Sequence, residues 1–380
     1  MIDKRALTRN LILTGAVVLV AGCKIIPKPP PIVMPTPTAT ESPGGVLPSD
    51  RDRHRVALLV PLSGANAGVG QSLANATTMA LLDTNAQNLR ITTYDTATGA
   101  QSAAARALSD GNKLILGPLL NEDVRTVAAA ARPAGVPMIA FSNDASVAAE
   151  DVFVLGHVPA QSIARTVAFA RGKGANRFAA LIPTGEYGQR AGAAFAAAVK
   201  AAGASVVATE TYDRGNTSVT SAAQRLKARG GYDAVLIADG ARIATRAAPA
   251  LKAAGVRLLG TELWAGESAV ANSAALRGAY YSAVSDARFG QFASSYKARF
   301  GAQPYRIATL GYDGVLLALN VARNWRPGTL FPTRKLEDRG GFLGLDGAFR
   351  FASDNVSQRA WEVREVGVGT VSPAPSRFSD

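Results

Sequence analysis

The sequence predicts an α/β protein with two lobes, each of them a parallel sheet flanked by helices. From Arg55 onward, short apolar runs alternate with alanine-rich amphipathic segments, which is typical of β-α units and a parallel sheet. These units form two groups, which are separated near Gly156 and again near Tyr281. With 48% apolar residues, the chain can bury two cores of ordinary size.

Both groups of units repeat the same order of strand and helix. The predicted strands of the first group are 56–62, 91–94, 114–116 and 137–141, and its predicted helices are 70–84, 101–109 and 124–132. The predicted strands of the second group are 178–182, 205–211, 234–238 and 257–260, and its predicted helices are 189–202, 219–229 and 243–254. Residues 289–300 predict a further amphipathic surface helix.

Three alanine-rich stretches end with an Ala-Gly pair just before a strand, at Gly135, Gly203 and Gly255. Glycine adopts the left-handed backbone that ends a helix at little steric cost. The spacings of 68 and 52 residues are unequal, so the pairs indicate a shared supersecondary unit and not a tandem repeat.

The first 22 residues predict a signal peptide. Lys4, Arg5 and Arg9 precede an apolar stretch over 11–20, and small residues lead to Cys23, the one cysteine of the chain. This stretch is too short to span a bilayer, which takes about 20 residues. We therefore expect residues 1–22 to be removed and Cys23 to carry a lipid anchor. An ordinary signal peptide followed by a free thiol is the alternative.

Residues 23–53 predict an extended tether. Eight prolines lie within residues 24–50, so this segment cannot form a helix and has too little apolar surface to fold. In polyproline form it reaches about 80 Å at most. Lys24 follows the cysteine where, by resemblance to lipoproteins of two-membrane bacteria, an aspartate would favour the inner membrane. We expect the chain on the periplasmic face of the outer membrane.

The chain carries a formal charge of +13, from 41 Lys and Arg against 28 Asp and Glu. Such an excess favours anionic partners such as lipid headgroups, cell-wall polymer or acidic proteins. The basic residues are dispersed, however, and no run of five like charges occurs. We therefore expect no nucleic-acid partner.

The loops that follow the predicted strands carry the candidate binding residues. In parallel sheets, ligands bind beyond the carboxyl ends of the strands, often in a cleft between two lobes. Small polar residues at helix starts hold a carboxylate there, or they simply cap the helix. The candidate cleft residues are Ser63, Gly64, Asn121, Ser142, Asn143, Tyr187, Asp239 and Glu262.

Motifs for catalysis are few. Only two histidines and one cysteine occur, and the chain has neither a Walker loop nor a Gly-x-Ser-x-Gly elbow. Residues 294–297 and 353–355 match two of the three motifs of penicillin-recognising acyl enzymes, but the third, Lys-Thr-Gly, is missing. Ser294 also falls on the predicted surface helix. We therefore expect no catalytic residue, no metal and no cofactor.

Several motifs in order resemble the type I periplasmic binding proteins of the leucine/isoleucine/valine-binding group. They are the run 56–64, Tyr94-Asp95, the run 114–118, Tyr187-Gly188 and Tyr312-Asp313. The stretch from Gly341 through Gly344 and Gly347 to Phe351 is similar to the closing hairpin of that group. The resemblance covers about residues 54–366.

This resemblance implies two lobes joined by three crossovers. Lobe 1 would combine residues 54–156 with 282–326, and lobe 2 would combine 157–281 with 327–367, leaving 368–380 as a flexible tail. Amino-acid receptors of the group hold the ligand with small hydroxyl residues in the third and fourth loops and with an acid from lobe 2. Here the third loop has Leu119, Leu120 and Asn121 in place of serines.

Within the group, the chain looks most like the penicillin-binding-protein activator lipoproteins, which stimulate peptidoglycan synthases by contact. The first hypothesis is therefore a non-enzymatic lipoprotein whose partners are such a synthase, the membrane through its lipid anchor, and a small molecule in the cleft. The alternative is an amino-acid-type solute receptor of an ABC importer. Labelling of Ser294 by a fluorescent penicillin would indicate an acyl-transfer enzyme instead.

Overall fold

The computed structural model describes residues 53–378. The predicted signal peptide, Cys23 and nearly all of the predicted tether lie outside these residues. The first elements of the chain are β1 (His54–Val60), α1 (Ala67–Asp83), β2 (Leu89–Asp95), α2 (Ala100–Ser109), β3 (Leu114–Leu116), α3 (Asn121–Ala131), β4 (Met138–Ala140) and β5 (Val152–Val154).

Lobe 1 is built on a five-stranded parallel sheet in the order β2-β1-β3-β4-β5. Side chains alternate across a strand, so Val56 and Leu58 of β1 face one core while Ala57 and Leu59 face another. Helix α1 packs on the first face, and α2 and α3 cover the second. A sheet buried on both faces explains why β1 is almost continuously apolar.

Lobe 2 repeats this design with a larger sheet. Its elements are α4 (Pro159–Gly172), β6 (Arg177–Pro183), α5 (Glu186–Ala201), β7 (Ser205–Tyr212), α6 (Ser218–Arg229), β8 (Ala234–Ile237), α7 (Ala241–Leu251), β9 (Arg257–Leu259), α8 (Ser268–Ala271) and β10 (Tyr280–Val284). These five strands are parallel, and two antiparallel strands from the end of the chain extend the sheet to the order β15-β14-β10-β9-β8-β6-β7.

The last part of the described chain contributes to both lobes. It contains α9 (Phe289–Phe300), α10 (Thr309–Ala322), β11 (Phe342–Gly344), β12 (Gly347–Phe351), β13 (Ser357–Arg359), β14 (Trp361–Glu365) and β15 (Gly369–Ser372). Helix α10 packs against α1, and β11, β12 and β13 form a small antiparallel sheet. The chain thus passes between the lobes three times, after β5, after β10 and after β13, and the family resemblance implies the same number of crossovers.

The predicted elements correspond to observed ones, with ends that differ by a few residues, and helix 289–300 coincides with α9. The sequence patterns assigned nothing to α4, β5, β10 or α10. Helix α10 buries ten of its fourteen residues, so it shows no polar face for a 3.6-residue period to reveal. The three Ala-Gly glycines have left-handed φ angles of 64°, 65° and 78°, as predicted.

The predicted lobe boundaries differ from the structure in three places. Residues 282–284 belong to β10, which lies in the lobe 2 sheet. Phe331, Leu336, Phe349 and Phe351 pack into the core of lobe 1, although residues 327–367 were all predicted in lobe 2. Phe351 packs edge-on against Phe153 of β5, with ring centroids 5.2 Å apart, so β12 buries its apolar side chains in the lobe 1 core. The predicted flexible tail contains β15, which pairs with β14.

None of the helices within residues 53–378 is both long enough and apolar enough to cross a membrane.

Candidate functional site

A cavity of about 450 Å³ lies between the two lobes, beyond the carboxyl ends of the parallel strands. Loops that follow β3, β4 and β9 all contribute to its wall, together with the crossovers after β5, β10 and β13. Its lining residues are Asn66, Val69, Leu119, Leu120, Phe141, Asn143, His157, Glu262, Leu263, Ala265, Glu267, Val284, Tyr305, Arg306, Ile307, Leu310 and Trp361. This is the place and the size at which small-molecule sites of α/β proteins occur.

Most of the cavity wall is apolar. Phe141, Val284 and Leu310 on this wall are almost fully buried, and Leu119 and Leu120 occupy the loop after β3. Polar groups converge on this wall at only a few points. Such a surface favours a ligand with an apolar body and a small number of polar groups.

Glu262 is one of the two predicted residues that line the cavity. It begins a short 3₁₀ helix after β9, and Thr261 caps this helix with its side chain. Ser162 donates a hydrogen bond to Glu262 Oε2 at 2.6 Å, and the Tyr187 hydroxyl donates to Oε1 at 3.1 Å. Burial nevertheless raises the pKa of Glu262 above its ordinary value, because removal from water disfavours the charged carboxylate.

Asn143, the second predicted residue on the cavity wall, accepts a hydrogen bond from Arg190 of α5. Arg190 also pairs with Asp144 across 3.3 Å. Asn121, at the start of α3, donates to Asp144 at 3.1 Å and to Glu186 of α5 at 2.9 Å. These contacts bridge the lobes beside the cavity, since α3 and Asp144 belong to lobe 1 and α5 belongs to lobe 2.

The bridges also affect the ionisation of Asp144. Its burial alone would raise its pKa, but the hydrogen bonds from Ser146 and Asn121 and the charge of Arg190 lower the pKa below its usual value. Asp144 therefore stays charged and holds both partners.

The other predicted residues do not line the cavity. Ser63 is exposed and donates to Asp95 at 2.8 Å, and Gly64 has a φ of 70° in a turn beside it. Ser142 is buried, and its hydroxyl accepts a hydrogen bond from the Asp144 amide. These residues shape the loops, because a short hydroxyl side chain next to a turn finds backbone and carboxylate partners locally.

In lobe 2, Tyr187 does not border the cavity, but its hydroxyl is hydrogen-bonded to Glu262, which does. Asp239 is buried and does not line the cavity. It accepts hydrogen bonds from Tyr212 at 2.7 Å and from Arg214 at 2.8 Å. Asp239 is thus already neutralised by an arginine of its own lobe and is not available to a ligand.

A group of buried charges behind the cavity has no counterpart among the predicted residues. We call His157, Arg306, Asp313, Asp346 and Arg359 the hinge cluster. Asp346 is fully buried, and it accepts hydrogen bonds from His157 at 2.8 Å and from Arg306 at 2.6 Å. Arg359 lies 3.8 Å from the same carboxylate. The cluster connects the crossover after β5, the β11-β12 turn and the end of β13.

The carboxylates of the hinge cluster have opposite pKa shifts. Burial opposes the charge of Asp346, but Arg306, His157 and Arg359 together lower its pKa well below the ordinary value. Burial and the neighbouring Asp346 raise the pKa of Asp313 to about 7. The pKa of His157 is lowered by burial and by Arg359, against the opposing effect of Asp346. A neutral His157 donates its Nε2 proton to Asp346.

A second set of ion pairs joins the segment after β10 to strand β14. Asp286, just after β10, lies 3.2 Å from Arg306 and also accepts a hydrogen bond from Arg364 of β14. Arg364 donates to Glu362 at 2.6 Å. Sequence reasoning missed these residues because no local pattern joins them; the family resemblance marked this region only through Tyr312-Asp313 and the turn glycines Gly344 and Gly347.

Ser294 of the acyl-enzyme motif lies on the exposed face of α9. Its hydroxyl donates to the carbonyl of Gly290 in the same helix at 3.0 Å. A hydroxyl held by its own helix backbone has no base to activate it there.

Solved structures with the same fold include proteins of ABC transporters. A putative branched-chain amino acid ABC transporter protein of Rhodospirillum rubrum has a TM-score of 0.72 and 20% identity over 85% of this chain and 100% of its own. A solute binding protein of Rhodopseudomonas palustris, in complex with 3,4-dihydroxybenzoic acid, has a TM-score of 0.69 and 19% identity over 86% and 98%. A substrate binding protein of Streptococcus pneumoniae in complex with isoleucine has a TM-score of 0.64 and 19% identity over 84% and 100%.

Sequence comparison points to the same family. A curated relative, an uncharacterised protein of Rickettsia prowazekii, is 29% identical over 136 residues, which is 35% of this chain and 36% of that protein. The family model described as periplasmic binding protein matches residues 54–366. The two-lobed fold and the resemblance to the leucine/isoleucine/valine-binding group are thereby confirmed. The chain belongs to the periplasmic binding protein family.

Proposed function

We propose that this protein is a non-enzymatic solute receptor whose interlobe cavity binds one small molecule. The observation that carries the proposal is the cavity itself, about 450 Å³ of mostly apolar space enclosed by loops of both lobes. The similarity to solute binding proteins of ABC transporters supports it. This is the alternative of the two hypotheses drawn from the sequence.

The cavity favours a ligand without a zwitterionic amino-acid head. An α-carboxylate and an ammonium group both need charged or strongly polar partners. Leu119 and Leu120 stand where hydroxyl groups would hold a carboxylate, and Asn121 is engaged with Asp144 and Glu186. The raised pKa of Glu262 makes it a weaker partner for an ammonium group. A small ring or branched chain with one or two neutral polar groups fits these walls best.

Isothermal titration calorimetry with the full chain tests this ligand class. The panel should contain leucine, isoleucine and valine on one side and neutral aromatic alcohols and amides on the other. We expect binding from the second group only. Leu120→Ser should shift preference towards amino acids, while Leu82→Ser, on an exposed site outside the cavity, should change nothing. Tight binding of leucine with no binding of the aromatic compounds would overturn the ligand class.

Regulation of a peptidoglycan synthase stays a prediction that rests on Cys23, the tether and the resemblance to activator lipoproteins. A pull-down of purified synthases with the full chain, followed by a glycan polymerisation assay, tests it. Binding together with faster polymerisation would support the regulator. If the synthases neither bind nor polymerise faster, and a ligand binds the cavity saturably, solute binding would be the sole function.

The lipid anchor is likewise a prediction. We expect mass spectrometry of the mature amino terminus to show a diacylglycerol on Cys23, and membrane fractionation to place the protein with the outer membrane. Cys23→Ser should release the mature protein into the soluble periplasmic fraction. A mature chain with a free Cys23 thiol would contradict the anchor and leave the cavity proposal intact.

A further inference from the structure

We propose that His157 binds the ligand of the cavity and selects molecules that carry a neutral hydrogen-bond donor, such as a hydroxyl group. Its ring borders the cavity and offers Nδ1 as an acceptor, while Nε2 is engaged with Asp346. The inference rests on the proposed function, because it assumes that the cavity binds a small molecule. It deepens that function by naming a chemical group that the ligand must carry.

The ring of His157 is held in one orientation. His157 lies on the crossover after β5, two residues before α4 begins, and it is 8% exposed. Nε2 lies 2.8 Å from a carboxylate oxygen of Asp346. The ring also lies edge-on to Trp361, with centroids 6.1 Å apart. A ligand would therefore meet a fixed imidazole and not a mobile side chain.

The surroundings of Asp346 determine which nitrogen of His157 carries the proton. Asp346 stays ionised because Arg306 lies 2.6 Å from its carboxylate and Arg359 lies 3.8 Å from it. A carboxylate only accepts hydrogen bonds, so the nitrogen that faces it must carry a proton. Burial and the positive charge of Arg359 lower the pKa of His157, which keeps the imidazole neutral. A neutral imidazole has one N–H, and Nδ1 is therefore an acceptor.

Nδ1 has no hydrogen-bond partner within residues 53–378, where the ring bonds through Nε2 alone. Buried polar atoms without a partner do occur in this part of the chain, for example in Arg359 and Asp313, but Nδ1 of His157 is not one of them. Nδ1 therefore keeps accessible surface, and the space that His157 borders is the cavity. An acceptor in this position is open to a ligand.

The other buried polar side chains of the cavity wall already have protein partners. Both carboxylate oxygens of Glu262 accept hydrogen bonds, one from Ser162 and one from Tyr187. Trp361 donates its indole N–H to the side chain of Gln161 at 3.1 Å. An acceptor without a partner is costly once a ligand has displaced water from it, so His157 is the point at which the wall discriminates most between ligand groups.

The acceptor and its neighbours together define the ligand group. A hydroxyl donates its proton to Nδ1, whereas an ether oxygen has no proton and would place one acceptor against another. An ammonium group also donates, but its charge would lie near the positive Arg306 and Arg359. With apolar side chains over most of the remaining wall, an uncharged ring with a hydroxyl group fits best.

Calorimetry of the full chain with benzyl alcohol and benzyl methyl ether tests the selection. The ether keeps the ring and the oxygen and adds a methyl group, so burial of apolar surface alone would favour the ether. We expect the alcohol to bind about tenfold more tightly instead, because only the alcohol donates to Nδ1. Phenol and anisole form a second pair, for which we expect the same order.

Two matched substitutions assign the preference to His157. His157→Phe keeps a flat ring and removes both nitrogens, so the preference for the alcohol should disappear. His54→Phe is the control, because His54 is the other histidine of the chain and stacks on Trp325 outside the cavity. The control should keep the tenfold preference. Circular dichroism checks that both variants are folded.

Nitrogen-15 NMR of the imidazole rings gives a readout that needs no substitution at His157. The chain has two histidines, and the spectrum of His54→Phe assigns the remaining signals to His157. We expect its Nε2 to be protonated and its Nδ1 to be unprotonated. Saturation with benzyl alcohol should shift the Nδ1 resonance upfield, because the lone pair then accepts a hydrogen bond, and the ether should not produce this shift.

Equal or tighter binding of the ether by the parent chain would overturn the role of His157 and leave the solute receptor intact. So would a His157 ring whose Nδ1 carries the proton, or an alcohol preference that a folded His157→Phe chain retains. If neither compound of either pair binds, the ligand class under Proposed function is wrong, and the role of His157 is overturned with it.

Discussion

The interlobe cavity and the hinge cluster share two residues, His157 and Arg306, but different forces hold their surroundings together. The cavity wall is mainly apolar, and each side chain gains stability from its own burial. The hinge cluster consists of buried charges whose stability depends on one another, because an isolated charge away from water is strongly unfavourable.

This difference indicates separate roles for the two regions. Apolar walls tolerate changes of shape, so a cavity of this kind can adapt to a ligand. A hydrogen-bonded charge cluster has few acceptable geometries. The apolar wall lies where a ligand would bind, and the hinge cluster lies where the crossovers meet. The cluster therefore holds the two lobes in a defined orientation around the cavity.

The largest expected effect comes from removing the central carboxylate of the hinge cluster. Asp346→Ala leaves His157, Arg306 and Arg359 without their shared partner, and we expect a loss of about 3–5 kcal/mol in the free energy of unfolding. Urea denaturation measures it. Glu337→Ala removes an exposed carboxylate outside the cluster and should change stability by less than about 0.5 kcal/mol. Equal effects of the two substitutions would contradict the mutual dependence of the charges in the hinge cluster.

Truncation of the cavity wall should cost less than truncation of the solid core. Leu310 and Leu317 both belong to α10 and are each 1% exposed, but only Leu310 borders the cavity. We expect Leu310→Ala to lose about 2 kcal/mol and Leu317→Ala about 3–4 kcal/mol, since part of the space beside Leu310 is already empty. The same urea titration compares them. A larger loss for Leu310 would show that its wall is packed as tightly as the core.

The raised pKa of Asp313 predicts a pH dependence of stability. Its folded value of about 7 lies above its ordinary value of 3.8, so between these pH values the folded state holds a proton that the unfolded state has lost. Stability from this group is therefore present at low pH and lost as pH rises towards 7, by at most about 1.4 kcal/mol per pH unit. Glu262 acts in the same direction, and His157 opposes it.

Comparison of the parent chain with Asp313→Asn isolates this contribution. We expect the variant to show a flatter or rising dependence of the free energy of unfolding between pH 4.5 and 6.5. His157→Gln should steepen the fall, because it removes the opposing group. Parallel curves for the parent chain and Asp313→Asn would mean that Asp313 is ionised throughout this range.

The smallest effect concerns the bridges at the cavity mouth. Arg190 is partly exposed, so Arg190→Ala should lower the free energy of unfolding by less than about 1 kcal/mol. We expect small-angle scattering to show a larger radius of gyration, since Arg190 joins Asp144 and Asn143 of the other lobe. Arg125→Ala, on the surface of lobe 1 alone, is the control. An unchanged radius would assign lobe closure to the hinge cluster and not to the bridges.

Several features of the fold were predictable from the sequence, and for a local reason. Strands such as 114–116 and helices such as 289–300 follow from apolar periodicity within a few residues, and the Ala-Gly ends follow from the backbone freedom of glycine. Of the eight candidate site residues, however, only Asn143 and Glu262 line the cavity. Small polar residues after strands serve as loop partners as readily as ligand contacts, and the residue type does not distinguish these uses.

By itself, then, the sequence determined the β-α units, their division into two groups and the family resemblance, because these depend on short-range pattern. Only the tertiary structure decided which core Phe349 and Phe351 enter and that Asn121 joins the two lobes. It alone brought together His157, Arg306, Asp346 and Arg359. Their charges lie up to about 200 residues apart in the chain and acquire a role only when burial removes the water between them.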